Sequence, residues 1–256
     1  SAASDVYKRQ GHSQLFASVI PNCVSYDPSF GYELAVIIQD GLRRMVANQE
    51  DVFYYITLMN ENYPHPGLQA GTEQDILKGM YLLRAGGKHK QRAQLIGSGT
   101  ILREVIAAAE LLETDWKVSA DLWSAPSFNQ LQRDGMDCER WNLLHPEQPP
   151  RQSHVAACLE AHAGPVVAAT DYVRAFADQI RAYVPRGRDY RVLGTDGFGR
   201  SDSRAKLRYH FEVNRHWVVV TTLKALADAG DIKPAVVAEA IRKYGIDPAK
   251  ANPLTV

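Results

Sequence analysis

Apolar residues recur along this chain at two spacings, and the spacing changes repeatedly. Ile20 to Phe30 carries two prolines and reads as an irregular connector. From Tyr32 to Val46, Leu34, Ile37, Ile38, Leu42 and Met45 fall near a period of 3.6 and predict a helix. Val52 to Leu58 is a β-branched and aromatic run of strand length. It ends in the polar loop Met59 to Pro64, and loops at strand carboxyl ends are where open α/β sheets carry ligand contacts. The same Asn and Pro residues are also ordinary turn formers. His65 to Gly71 reads as a linker. Thr72 with Asp75 has capping-box spacing, and the helix it opens, through Ile76, Leu77, Met80 and Leu83, is predicted to stop at Gly86-Gly87.

Beyond that point the pattern repeats as strand, glycine turn and helix. Strands are predicted at Ala93–Gly97, across Val118, Ala120 and Leu122, and at Val166–Ala169 and Tyr190–Leu193. Helices are predicted from Ile101 to Leu112, from Asp171 to Pro185 along Val173, Phe176, Ile180 and Tyr183, from the Asn214 cap to Ala229, and from Pro234 to Tyr244. Val218 to Thr222 is β-branched and competes as a strand. Phe128 to Gln132 suggests a short helical turn, and Arg133 to Arg151 an irregular stretch in which Trp141, Leu143 and Leu144 are buried. Alternation of this kind predicts an α/β fold, a mostly parallel sheet with helices on both faces.

Composition changes this picture little. A chain of 256 residues buries roughly 70–75% of its unfolded surface on folding, enough for a real core. Zero formal net charge removes any electrostatic case for nucleic acid or an anionic membrane. No run of eighteen apolar residues occurs. Cys23, Cys138 and Cys158 lie far apart, which fits a reduced, cytoplasmic protein. Residues 1–10 have no periodicity and no apolar signal segment, and read as a disordered leader.

Chemistry-bearing patterns are few. Gly97-Ser-Gly-Thr follows a strand and opens a helix, as a nucleotide loop would, but Leu102 stands where the third glycine belongs, so close helix packing is the better account. His210 with His216, and His154 with His162, match no zinc spacing. Cys138 lies among charged residues, where Arg140 would activate it; a plain thiol is the simpler reading. Val192 to Arg204 packs three glycines among aspartates and arginines, either a self-satisfied turn or a partner surface.

Asn60-Glu-Asn-Tyr63, Asp134-Gly-Met-Asp-Cys-Glu-Arg-Trp-Asn142 with Leu144-His-Pro146, and Leu193-Gly-Thr-Asp-Gly-Phe-Gly-Arg-Ser-Asp-Ser-Arg204 with His210-Phe-Glu212 together resemble the homodimeric bacterial pyruvate dehydrogenase decarboxylating component, a transketolase-like family. The resemblance runs from about Gly11 to the end. It implies that 11–71 is the last part of a pyrimidine-binding domain plus linker, and 72–256 a whole carboxyl-terminal domain, the chain being a fragment of a longer enzyme. It implies thiamine diphosphate and magnesium as cofactors, dihydrolipoyl acetyltransferase as partner, and oxidative decarboxylation of pyruvate as the activity.

The family's activating and metal-binding residues would lie upstream, and a Glu and a His of a Gly-Glu-Gly-Leu-Gln-His segment would fall at Ser4 and Lys8. No catalytic residue and no bound cofactor is therefore expected here. By the resemblance, Asn60, Glu61, Asn62 and Tyr63 are candidates for lining a substrate channel. Asp196, Arg200, Asp202 and Arg204 are candidates for structural or interface contacts. Alternatives are an assembly module of another transketolase-like enzyme, or a nucleotide-binding protein using Gly97 and Gly99.

Overall fold

The computed structural model describes residues 11–256, so the leader expected over 1–10, with Ser4 and Lys8, lies outside the described residues. Helix α1 (Ser13–Ser18), strand β1 (Cys23–Tyr26), helix α2 (Gly31–Leu42) and strand β2 (Phe53–Ile56) form the first half. A π turn, Arg43–Ala47, prolongs α2. After the linker come α3 (Glu73–Lys78), β3 (Tyr81–Arg84), β4 (Gln91–Gly97), α4 (Ile101–Trp116), β5 (Val118–Ser124), α5 (Phe128–Leu144) and α6 (His154–Leu159). The chain ends with β6 (Val166–Ala169), α7 (Arg174–Asp178), β7 (Tyr190–Leu193), α8 (Arg204–His210), α9 (Arg215–Asp228) and α10 (Pro234–Lys243).

Strands β1 and β2 pair in parallel as a two-stranded sheet; the other strands form a five-stranded sheet in the order β3-β5-β4-β6-β7. Only β3 is antiparallel, against β5. Alternate residues of the central strands enter opposite cores, as the strand period requires. Leu95, Leu122 and Val167 meet Leu102, Val105 and Leu112 of α4 and Val219 and Leu223 of α9 on one face. Their neighbours Ile96, Trp123 and Ala168 meet Phe128 and Leu131 of α5, Val155 of α6 and Phe176 of α7 on the other. The sheet is thus covered on both sides, as the strand–helix alternation predicts.

Several expectations are corrected. Helix α3 ends at Gly79, at φ +108°, rather than at Gly86-Gly87, and Tyr81–Arg84 becomes an edge strand. A Cβ at Gly79 would lie 2.4 Å from the Ser127 carbonyl oxygen, so close approach fixes the glycine there. The Thr72 box does not form, because its hydroxyl donates back to the Gln69 carbonyl (2.7 Å). The connector Ile20–Phe30 contains β1, too short for its pattern to stand out, yet buried along its whole length.

Phe128 to Leu144 is one continuous helix, capped by Ser127 accepting from the Gln130 amide (3.0 Å). Gly135 does not break it: the glycine lets the Tyr183 ring press against the helix. Leu143 and Leu144 are 78% and 54% exposed, and Trp141 is half-buried beneath the Arg151 guanidinium (4.3 Å). They therefore do not enter the core. Helix α6 lies beyond the stretch expected to be irregular, in residues to which the pattern assigned no element, and the stripe from Asp171 is divided into α7 and a 3-10 turn. Asn214 caps α9 as predicted, its Oδ1 accepting from the His216 and Trp217 amides, both at 3.1 Å, and Val218–Thr222 is helical.

The two halves are joined by buried polar contacts. Ser127 Oγ donates to the Ser25 carbonyl (2.6 Å), Asn129 Nδ2 to the Gln14 carbonyl (2.8 Å), and Arg133 to the Cys23 carbonyl (2.8 Å). Glu33 of α2 reaches furthest. Its carboxylate accepts from Tyr81 OH (2.7 Å), Ser124 Oγ (2.6 Å) and the amides of Ser29 (2.5 Å) and Phe30 (3.1 Å).

Candidate functional site

A cleft of about 390 Å³ opens where the polar loop after β2 meets the segment from Arg200 to Arg208. Its floor comes from strand ends: Thr100 after β4, Asp171 and Tyr172 after β6, and Thr195 after β7. Asn60 and Glu61 form one wall and Arg200, Arg204 and Arg208 the other. The four-residue spacing of these arginines brings Arg204 and Arg208 to the same side of α8.

Charge organises the walls. Glu61 Oε1 accepts from Arg103 (2.6 Å) and Oε2 from Arg208 (2.6 Å), with Arg204 Nε at 3.7 Å. Burial opposes ionisation of Glu61, but the three guanidiniums, Arg208 foremost, outweigh it and hold the carboxyl below the usual range. Behind it, Glu104 accepts from Arg215 Nε (3.0 Å) and Arg208 (3.3 Å). There too burial is outweighed, chiefly by Arg215, and the carboxyl is held down. Asn60 Oδ1 accepts from Arg204 (2.7 Å). Asp171 differs: burial pushes its carboxyl up to about 6, with Arg208 acting against the rise.

Of the residues singled out from sequence, Asn60 and Glu61 line the cleft. Asn62 is exposed. Tyr63 turns inward: its hydroxyl donates to the Ser29 carbonyl, its ring stacks on His65 (4.8 Å), and Arg103 lies 4.5 Å above it. Arg200 and Arg204 face the cleft, whereas Asp196 accepts from the Arg174 amide (3.1 Å) and Asp202 from the neighbouring Ser203 amide (2.7 Å). The glycine-rich loop thus contributes arginines to the cleft and keeps its aspartates local.

Sequence reading misses Arg103, Arg208, Glu104, Arg215 and Asp171. The arginine spacing is visible in the sequence; their convergence on Glu61 is not, because it depends on how the two halves dock. Asp27, in the supposed connector, is also missed. It is buried between Thr57 Oγ1 (2.8 Å) and Ser98 Oγ (2.9 Å), and burial pushes its carboxyl up to about 7.

Asp27 also removes the nucleotide reading of Gly97 and Gly99. A Cβ at Gly99, which sits at φ +50°, would be 2.6 Å from Asp27 Oδ2, and one at Gly97 would be 2.8 Å from Leu102 Cα. A carboxyl group already fills the turn where a diphosphate would bind. Cys138 lies on α5 rather than in a loop, and burial, with Asp134 and Asp137, raises its thiol, the reverse of activation. Burial pushes Cys158 up to about 12. No group of three His, Cys, Asp or Glu side chains among the described residues is arranged to hold a metal ion. No helix among them is long and apolar enough to cross a membrane.

Comparison with known proteins gives two family matches. Residues 79–214 match the transketolase-like TK C-terminal domain, and residues 2–66 the pyruvate dehydrogenase E1 component middle domain. The second match begins ahead of Gly11, where the sequence resemblance was placed. A pyruvate dehydrogenase E1 component of Cupriavidus necator is 63% identical over 96% of this chain and 28% of its own length. That of Pseudomonas aeruginosa is 62% identical over 95% and 28%, and that of Escherichia coli K12 53% over 95% and 27%. The chain therefore spans about 28% of the length of the curated relatives it matches. Among solved structures, transketolase from Leishmania mexicana superposes with a TM-score of 0.60 at 18% identity, over 88% of this chain and 28% of that one. A split-gene transketolase superposes with a TM-score of 0.54 at 14% identity, over 87% and 64%. These structural likenesses concern the fold.

Proposed function

This chain belongs to the pyruvate dehydrogenase E1 component family, and from that premise we propose that it works as the carboxyl-terminal part of a thiamine diphosphate-dependent enzyme. That enzyme oxidatively decarboxylates pyruvate and passes the acetyl group to a lipoyl group of a dihydrolipoyl acetyltransferase. It acts as a homodimer in the cytoplasm. The observation that carries the reading is the docking of the Asn60–Glu61 loop onto Arg103, Arg204 and Arg208. It fixes the end of β2 against the carboxyl-terminal domain, which is what a channel wall shared by two domains requires.

The described residues do not fit the role of holding the cofactor. A magnesium diphosphate calls for clustered oxygen ligands. The two most buried carboxyls, Asp27 and Glu33, are instead engaged by hydroxyls and amides of the chain itself, and Glu61 is neutralised by arginines. These side chains therefore take no chemical step of the decarboxylation. Their share is positional: Asn60 and Glu61 shape the channel, Tyr63 anchors their loop, and Arg200 and Arg204, with Asp196 and Asp202 bracing the turn, form its opposite wall.

A direct assay tests this division. With pyruvate, thiamine diphosphate, magnesium and an artificial electron acceptor, the 256-residue chain alone should give no turnover above the protein-free control. Joined to the upstream part of a family member, it should support turnover, and Glu61→Gln should then lower it by about tenfold through misplacement of the loop. Cofactor-dependent turnover by the chain alone, or full activity of the Glu61→Gln enzyme, would overturn the reading.

A further inference from the structure

We propose that the cleft at the carboxyl ends of β4, β6 and β7 is a binding site for a small anion bearing a carboxylate or phosphate group. The cleft is the one read above as a channel wall, and the inference rests on that reading only for its place; binding by the chain alone is tested apart from turnover. Two independent features carry it: position and wall chemistry.

Position comes from topology. Strand β4 lies between β5 and β6, all three parallel. The chain leaves β4 through α4 towards β5, packing on one face, and leaves β6 through α7 towards β7, packing on the other. The loops after β4 and β6 therefore part in opposite directions and leave a crevice between them. Such switch points at strand carboxyl ends are where open α/β sheets bind ligands. Ser98 and Thr170, whose hydroxyls lie 3.1 Å apart, join the two loops at this point. The cleft lies outside them, at Thr100, Asp171 and Thr195, and its volume of about 390 Å³ suits a small metabolite.

Wall chemistry sets the class of ligand. Arg200, Arg204 and Arg208 all line the cleft. Arg204 and Arg208 are partly engaged by Asn60 and Glu61, which orients their guanidiniums without saturating five donors each. Arg200 forms no ion pair within 4.0 Å among the described residues and is exposed at the rim. Guanidinium groups bind carboxylate and phosphate through paired, charge-assisted hydrogen bonds. The hydroxyls of Ser13 and Thr100 on the same lining are neutral groups suited to a ligand's remaining oxygens, while that of Thr195 donates to the Asp171 carbonyl (2.9 Å). Among the described residues, the Asp171 carboxyl takes no hydrogen bond, although it lines the cavity beside Arg208. A negative charge at that place competes with an anion for the arginines, so Asp171 should limit affinity.

Calorimetric titration of the 256-residue chain with inorganic phosphate, and separately with pyruvate, at neutral pH and low chloride tests the site. One saturable equivalent is expected with at least one of the two, and the one that saturates identifies the head group. Arg200→Ala should weaken that binding by about tenfold. Asp171→Asn should tighten it by roughly threefold or more, by removing the competing charge. Arg242→Ala, which removes an equal charge on the exposed side of α10 away from the cleft, should change nothing. Absence of saturation with both anions up to tens of millimolar would overturn the proposal. So would equal weakening by Arg200→Ala and Arg242→Ala. Because binding is read on the chain alone, such a failure would leave the decarboxylase reading standing.

Discussion

Replacing Glu33 by alanine should destabilise the protein by about 4 kcal/mol, the largest effect of any single substitution we expect. The side chain is fully buried and accepts four hydrogen bonds, two from backbone amides at the start of α2 and two from hydroxyls of β3 and β5. Each buried donor left without an acceptor costs about 1–3 kcal/mol, and part of that sum is recovered by relaxation. Tyr81 also shares its hydroxyl with Tyr32, so the loss passes to a second ring. Glutamine should recover only part of the stability. Its amide nitrogen would face either two backbone N–H groups or two hydroxyls, and only hydroxyls can turn to accept. Urea unfolding followed by circular dichroism checks both variants. A loss below about 1 kcal/mol for Glu33→Ala would show that the contact does not hold the halves together.

The second large effect is a dependence of stability on pH that runs against ordinary acid denaturation. Asp27 is fully buried, and burial raises its carboxyl to about 7, with Asp171 and Glu33 adding to the rise and the Thr57 and Ser98 hydroxyls opposing it. A carboxyl raised on folding takes up a proton between its ordinary range and its folded value. Its contribution is therefore fully present below about pH 4 and is lost as pH rises through about 7. Between pH 5 and pH 8 Asp27 should remove roughly 2–3 kcal/mol of stability. Asp171, also raised, acts in the same sense. Glu61 and Glu104 are held low and act in the opposite sense, but only below the usual carboxylate range, so the two windows separate.

In the Asp27→Asn variant an amide can donate to Ser98 Oγ, whose own proton can turn to Thr170 Oγ1, 3.1 Å away. The variant should lose most of the slope and be the more stable form at pH 8. Denaturant midpoints at pH 5, 6, 7 and 8 decide the matter: an unchanged slope would move the titrating group elsewhere.

The layered α/β architecture is legible in the sequence because β6 is a continuous apolar run, β5 alternates, and α4 and α9 keep their period. What escapes sequence reading is short or two-sided. Strand β1 spans Cys23–Tyr26; Val24 and Tyr26 are buried against Val36, Ile37 and Ile76, and the strand's polar groups are met by α5, more than a hundred residues away in the chain. Helix α5 looks irregular because Asp134, Gly135 and Asp137 interrupt its apolar stripe. The glycine is there for the Tyr183 ring, and the carboxylates face outward or cap, as where Asp134 accepts from the His154 amide (2.6 Å). Family motifs mark Asn60–Tyr63 and the glycine-rich loop, yet they do not distinguish Glu61, held by three arginines, from the exposed Asn62 beside it. That distinction belongs to the docking of the two halves, which no local pattern encodes.

The polar seam that joins the halves has a topological consequence. Strand β1 is held by Ser127, Asn129 and Arg133, α2 by Tyr81 and Ser124, and the loop after β2 by Arg103 and Arg208. The stretch from His65 to Gly71 that links them carries no helix or strand and is exposed throughout. Covalent continuity is therefore the least of the bonds between the two parts. A peptide bond cut at Gly67 would leave a nicked, non-covalent complex rather than two separate products. Encoding the two parts as separate chains would be a change of gene structure more than a change of molecule.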